Sequence, residues 1–175
     1  MARILYFSLF AGRCSAVPAL FWLVLAALGL EGCASNTSLP RAPATPPDTV
    51  ATSDTAARLW QVFERYEGTP YRYGGTDGDG FDCSGFIMTA YREGLDRLLP
   101  RTTDQMLAMG DVVPLNQIRP GDLVFFRIEG KDQHAGIYMG DERFIHASSS
   151  VGVTESRLDG YYWRDRYSQA RRFDH

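Results

Sequence analysis

Three side chains in this 175-residue sequence are suited to nucleophilic chemistry: Cys83, His134 and His146. A thiol attacks as its thiolate, and a helix N-terminus or a nearby imidazolium favours that form. Cys83 follows a run holding Gly74, Gly75, Gly78 and Gly80 and stands where a helical apolar pattern begins. It is therefore expected to open a helix, with the first-turn N–H groups facing its sulfur and able to hold an oxyanion. The glycines before it would let a substrate backbone come close. His134 and His146 flank Gly140-Asp141, a turn signal between two strand-like segments. Around a tight turn there, residues whose numbers sum to about 280 lie opposite one another and share a face. The two imidazoles are then neighbours. One can take the thiol proton while the other orients it, the logic of nucleophile, base and orienter.

Each residue also has a plainer reading. A lone buried cysteine commonly serves as a small hydrophobe, and a strand histidine as a hydrogen-bonded structural group. Cys83, His134 and His146 could also be three zinc ligands, but no pair of them has the usual local spacing and no carboxylate helper is evident. The third histidine, His175, ends the chain.

The elements that would position these groups form one domain over residues 52–175. Ser53 or Asp54 caps a helix in which Ala56, Leu59, Trp60, Phe63 and Tyr66 recur at helical spacing, ended by Gly68 and Pro70. A second helix starts near Asp82 or Cys83, turns Phe86, Ile87, Ala90 and Tyr91 inward, and stops at Gly94. A third runs from Thr102 or Thr103 to Gly110. Strands follow over residues 123–128, 134–139 and 143–147, with a last short one near 151–154. The aromatic stretch Tyr161-Tyr162-Trp163 is expected to pack back on the core. Helices first and an antiparallel meander after them argue for an α+β fold with segregated layers. The glycine loop is no phosphate cradle, since it has neither the dinucleotide-binding spacing nor a Lys-Ser/Thr ending.

The N-terminal third has a different composition. Arg3 and Arg13 precede an apolar or small-residue run from Ala16 to Leu30. At fifteen residues it is short of the roughly 20 that a membrane span needs, and it suits the apolar region of a secretory signal. Leu30-Glu31-Gly32-Cys33 follows and resembles the lipobox of bacterial lipoproteins, with Glu31 where a small or apolar residue is usual. That resemblance implies a signal peptide over residues 1–32 and a lipid on Cys33. Several acyl chains there would give stable anchoring to a membrane. Ala34 and Ser35 follow, with no Asp to hold the protein at the inner membrane. By analogy with Gram-negative lipoproteins, an outer-membrane anchor facing the periplasm is expected. Residues 33–51, with Pro40, Pro43, Pro46 and Pro47 among Ser, Thr and Ala, read as a flexible linker. At ~3.1 Å per residue such a chain reaches on the order of 50 Å.

Charge and cysteine count narrow the possibilities. The net charge is −3, and the 18 basic residues against 21 acidic give no electrostatic case for nucleic acid. Without Arg3, Arg13 and Glu31 the mature chain would carry net −4. With Cys14 lost in the signal and Cys33 lipidated, Cys83 would remain as a free thiol in an oxidising compartment, which calls for a functional account.

Six segments then carry a specific resemblance, in order: Gly68-Thr-Pro-Tyr-Arg-Tyr-Gly-Gly75, Asp82-Cys-Ser-Gly-Phe86, Arg101-Thr-Thr-Asp-Gln105, Pro120-Gly-Asp-Leu-Val-Phe-Phe126, His134-Ala-Gly-Ile-Tyr138 and Phe144-Ile-His-Ala147. Together they resemble the NlpC family of bacterial cell-wall peptidases over about residues 55–173. The resemblance implies a reduced papain-like fold and hydrolysis of peptide bonds in peptidoglycan stem peptides through a thioester, with no cofactor or metal. It implies Cys83 as nucleophile, His134 as base, His146 as orienter, and Tyr71 over the site beside the oxyanion hole. A monomer is expected, with peptidoglycan and the membrane as partners. Two other functions fit the same residues: a non-catalytic wall-binding scaffold, and a papain-like amidase or acyltransferase.

Overall fold

The computed structural model describes residues 47–130 and 133–174. The expected signal peptide, Cys14, Cys33, the linker before residue 47 and His175 lie outside them.

Helix α1 spans Pro47–Tyr66 and starts four residues earlier than Ala51. Pro47 occupies the first helical position, where its fixed φ is pre-organised and a backbone N–H would have no intrahelical acceptor. The proline-rich composition that reads as linker therefore gives its last residues to the helix. Leu59, Val62 and Phe63 are buried from α1 against the core. A two-stranded ribbon follows, β1 (Thr76–Asp77) and β2 (Gly80–Phe81), joined antiparallel. Helix α2 (Cys83–Leu95) buries Phe86, Ile87, Ala90 and Tyr91, as the spacing predicts. Its end lies past Gly94, where Asp96 takes the left-handed conformation at φ 54°. Helix α3 (Thr103–Met109) begins with a capping box: Gln105 N–H donates to Thr102 Oγ1 at 3.2 Å, and Thr102 N–H donates to Gln105 Oε1 at 3.4 Å. That reciprocity explains the Arg-Thr-Thr-Asp-Gln motif.

The main sheet is antiparallel with six strands. These are β3 (Asp111–Val113), β4 (Leu123–Phe126), β5 (His134–Gly140), β6 (Arg143–Ser148), β7 (Gly152–Arg157) and β8 (Tyr167–Arg172), in the order β3-β8-β4-β5-β6-β7. The β4 to β7 meander matches expectation. Strands β3 and β8 are additions. Tyr167-Ser-Gln-Ala-Arg-Arg172 has no apolar alternation, and pairing on both sides places it in the sheet. The stretch after β7 forms a single helical turn, α4 (Tyr161–Arg164). Only part of its expected packing occurs: Trp163 joins the core, while Tyr161 is 89% exposed.

Strand β4 is buried on both faces. Leu123 and Phe125 face the helices, while Val124 and Phe126 face a second apolar cluster with Tyr138, Phe144 and Trp163. A strand covered on both sides reads as a continuous apolar run, which Leu-Val-Phe-Phe is. Its approach is fixed by the Pro-Gly-Asp turn. Gly121 takes φ +97°, and the buried Asp122 carboxylate accepts from Arg172 Nε at 2.7 Å and Nη2 at 2.8 Å. That ion pair ties the β4 entry to β8.

Candidate active site

The nucleophile's position follows from Asp82, the residue before it. In an extended conformation, φ −87° and ψ 175°, Asp82 caps α2, and its Oδ1 accepts from Gly85 N–H at 2.6 Å. The same carboxylate accepts from Gly74 N–H at 2.9 Å, from Ser84 Oγ–H at 3.1 Å and from both terminal nitrogens of Arg101 at 3.1 and 2.8 Å. Arg101 also reaches Ser84 Oγ at 2.8 Å. One buried carboxylate thus joins the glycine loop, the start of α2 and the approach to α3. The backbones meet so closely that a Cβ on Gly85 would stand 2.0 Å from Gly75 O. This contact requires glycine in Asp-Cys-Ser-Gly.

Asp82 stays ionised. Burial alone would raise its carboxyl, but the Arg101 guanidinium and the Gly85 and Ser84 donors hold it below the usual carboxylate value.

Cys83 opens α2 as expected, among the residues lining a cleft of about 1450 Å³. Tyr71, Arg101, His134, His146 and Trp163 line it too. Burial outweighs the helix start at the thiol. Backbone N–H groups of Ala135, Ser84 and Cys83 do favour the thiolate, but burial pushes the thiol up and the Asp82 charge adds to this. The helix start positions the sulfur without ionising it, so ionisation needs a base. The Ala135 contact brings the residue next to His134 onto the sulfur, and the His134 imidazole lines the same cleft as the thiol.

The two histidines meet, though in a register different from the simple hairpin. Ile137 pairs with Ile145 and Tyr138 with Phe144, numbers summing to 282, and a bulge lies between Tyr138 and Gly140. His134 and His146 are diagonal neighbours on one face, and His134 Nε2 lies 2.9 Å from His146 Nδ1. These nitrogens are engaged with each other, and among the described residues no group of His, Cys, Asp and Glu side chains is placed to hold a metal ion. With Nε2 taken, proton exchange with the thiol falls to Nδ1 of His134.

His146 is almost wholly buried, at 1% exposure. Burial, followed by the charge on His134, drives its pKa well below the ordinary imidazole value. It is neutral at neutral pH, which suits an orienter and not a base. The sequence assigned roles by resemblance; the environment separates them physically.

Two further groups stand at the site that the sequence did not assign to it, although the aromatic stretch holding Trp163 was expected to pack on the core. Trp163 stacks on the His134 ring, with centroids 5.4 Å apart and planes at 24°, and meets His146 edge-on at 4.9 Å. An indole face against an imidazolium stabilises the charged form. Ser156 Oγ lies 3.0 Å from His146 Nε2. Tyr71 lies on the cleft wall, bridged to Phe81 and packed against the core.

Residues 68–172 match the family model described as the NlpC/P60 family. The chain belongs to that family. It is 40% identical over 156 residues to the probable endopeptidase NlpC of Escherichia coli K12, an alignment spanning 86% of this chain and 96% of that protein. It is 41% identical over 119 residues to the murein DD-endopeptidase MepS/murein LD-carboxypeptidase of the same strain, spanning 68% of this chain and 63% of that one. The crystal structure of an NlpC/P60 family protein from Bacillus cereus ATCC 10987 superposes with a TM-score of 0.61 at 33% identity, over 67% of this chain and 39% of the other. The α+β architecture expected from the sequence is the one these neighbours share.

If burial keeps the thiol protonated until His134 accepts its proton, the imidazole must control Cys83 reactivity. Iodoacetamide alkylation of Cys83 in His134→Ala should show a pH midpoint above about 8.5, the free cysteine value. The wild-type midpoint should lie below it. Coincident midpoints would mean that His134 does not govern the thiol.

Proposed function

We propose that this NlpC/P60 protein is a cysteine peptidase that hydrolyses murein, cutting peptide bonds of stem peptides or their cross-links. The observation that carries the reading is that Cys83 and the hydrogen-bonded His134–His146 pair line one cleft. Membership of a family with curated relatives called endopeptidases supports the same chemistry.

The reaction is acyl transfer through a thioester. His134 Nδ1 takes the Cys83 proton, and Sγ adds to the scissile carbonyl carbon. The N–H groups of Cys83 and Ser84, which face the sulfur, are the donors nearest a developing oxyanion. The tetrahedral intermediate collapses as the C–N bond breaks, and His134 returns its proton to the leaving amine. The same imidazole then removes a proton from water, which attacks the thioester and frees the thiol. Each proton is taken up and returned by His134, so the cycle calls for no cofactor.

We further infer that Cys33 carries a lipid and tethers the domain to the outer membrane on its periplasmic side. The support is the sequence pattern: an apolar signal region, Leu30-Glu-Gly-Cys33, no Asp after the cysteine, and a proline-rich stretch long enough to reach an off-membrane polymer.

Purified sacculi incubated with residues 34–175 should release new muropeptides by mass spectrometry, and Cys83→Ala should release none. Equal release by the variant would remove the assignment, and no release by either protein would favour a wall-binding role. In a Gram-negative host, the full chain should fractionate with the outer membrane and Cys33→Ser should leave it. Unchanged fractionation would overturn the tether.

A further inference from the structure

We propose that Ser156 is a positioning residue that accepts from the Nε2–H tautomer of His146 and so favours the arrangement in which neutral His134 carries its lone pair on Nδ1 and acts as base. This deepens the peptidase reading and rests on it.

The argument is one of proton counting along a chain of three groups. His134 Nε2 and His146 Nδ1 are 2.9 Å apart, and His146 Nε2 is 3.0 Å from Ser156 Oγ. Between two imidazoles sharing one hydrogen bond, a single proton lies between the facing nitrogens. If it belongs to His134 Nε2, neutral His134 carries a lone pair on Nδ1 and can receive the thiol proton. If it belongs to His146 Nδ1, the neutral His134 ring must hold its own proton on Nδ1. The base is then blocked. A neutral imidazole has one N–H, so the productive arrangement requires His146 to be protonated on Nε2.

That N–H points at Ser156 Oγ, and a hydroxyl oxygen can accept it. In the opposite tautomer Nε2 would present a lone pair to the serine and Nδ1–H would face His134. A hydroxyl can donate as well as accept, so its presence alone does not choose. The choice follows from the full cycle. When His134 is an imidazolium it donates from Nε2, and His146 Nδ1 must accept. His146 is then an Nε2–H tautomer throughout the covalent steps, and Ser156 is the acceptor in place for it. Burial holds His146 neutral, so it cannot donate from both nitrogens.

The strand pairing explains why this serine is positioned for the role. On β7, Thr154 pairs with His146 and Ser156 with Phe144, so Ser156 is a diagonal neighbour of His146 on the same face. His134 bears the same diagonal relation to His146 from the opposite side of β6. Three adjacent strands thus deliver the groups in line. Ser156 also lines the cleft, half-buried, behind the imidazole pair and not at the sulfur.

The test compares wild type, Ser156→Ala and Ser156→Thr, reading kcat and KM on a defined cross-linked muropeptide and the histidine tautomers by ¹⁵N NMR without substrate. The chain has three histidines, which keeps assignment simple. Wild type and Ser156→Thr should show His146 protonated on Nε2. In Ser156→Ala that preference should weaken toward a mixture, and kcat should fall about five- to tenfold, as loss of one hydrogen bond implies. KM should stay within about twofold, since an orienter acts on the chemical step. An Nε2–H population unchanged in Ser156→Ala would overturn the proposal, whatever the activity. Because the tautomer is read without substrate, a wild-type protein inactive on murein would count against the peptidase reading alone.

Discussion

The Asp82 carboxylate is the interaction on which the site's geometry depends. Its two oxygens receive donors from the glycine loop at Gly74, the α2 start at Ser84 and Gly85, and the segment before α3 at Arg101. These segments lie at either end of α2 and before the β1–β2 ribbon, and no backbone ladder joins all three. A charge accepting several charge-assisted bonds fixes the relative placement of such segments more closely than their apolar contacts alone. The arrangement has an electrostatic cost. A carboxylate beside Cys83 disfavours the thiolate, and Arg101 offsets that charge while also bonding Ser84.

Burial then decides which group does what. It raises the thiol and lowers His146, so neither ionises unaided near neutral pH. Proton transfer is left to His134, which shares the cleft with the sulfur, meets His146 through Nε2 and lies under the face of Trp163. A cysteine kept as thiol until a base accepts its proton is also less prone to adventitious oxidation, because reactivity follows the thiolate. The apolar cluster of Phe126, Phe144 and Trp163 that surrounds the imidazoles is therefore part of the chemistry as well as the core.

Much of this was legible in the sequence, for identifiable reasons. The three catalytic candidates lie on elements with strong local signals: Asp82 as a cap with an apolar helix behind it, and strands flanking Gly140-Asp141. The histidine pair was anticipated as neighbours although the register is offset by two, because a shift of two residues keeps a side chain on the same face. What could not be read depends on long-range pairing. Strand β8 is polar and is in the sheet only because β3 and β4 accept it on either side. Ser156 has a residue type common on any surface, the aromatic stretch holding Trp163 signals packing and no more, and the contacts of both with the imidazoles arise from the order of β6, β7 and α4. The balance on Cys83 could not be read for a related reason. The helix N-terminus is visible in sequence, whereas the burial that outweighs it is a property of the folded cleft.

The measurement that tests this account most directly is denaturation and murein turnover of Asp82→Asn beside wild type, each across pH. Asparagine has the same shape but no charge for Arg101 and fewer acceptors. The variant should lose about 2 kcal/mol of stability, and most of its turnover. The pH dependence carries the sign. The folded carboxyl of Asp82 titrates below its unfolded value, so its contribution is present above about pH 4 and fades as pH falls through the folded value. Wild type should therefore converge on the variant in acid. A variant with wild-type stability and turnover at neutral pH, or a gap that does not close in acid, would contradict the claim that this carboxylate holds the site together.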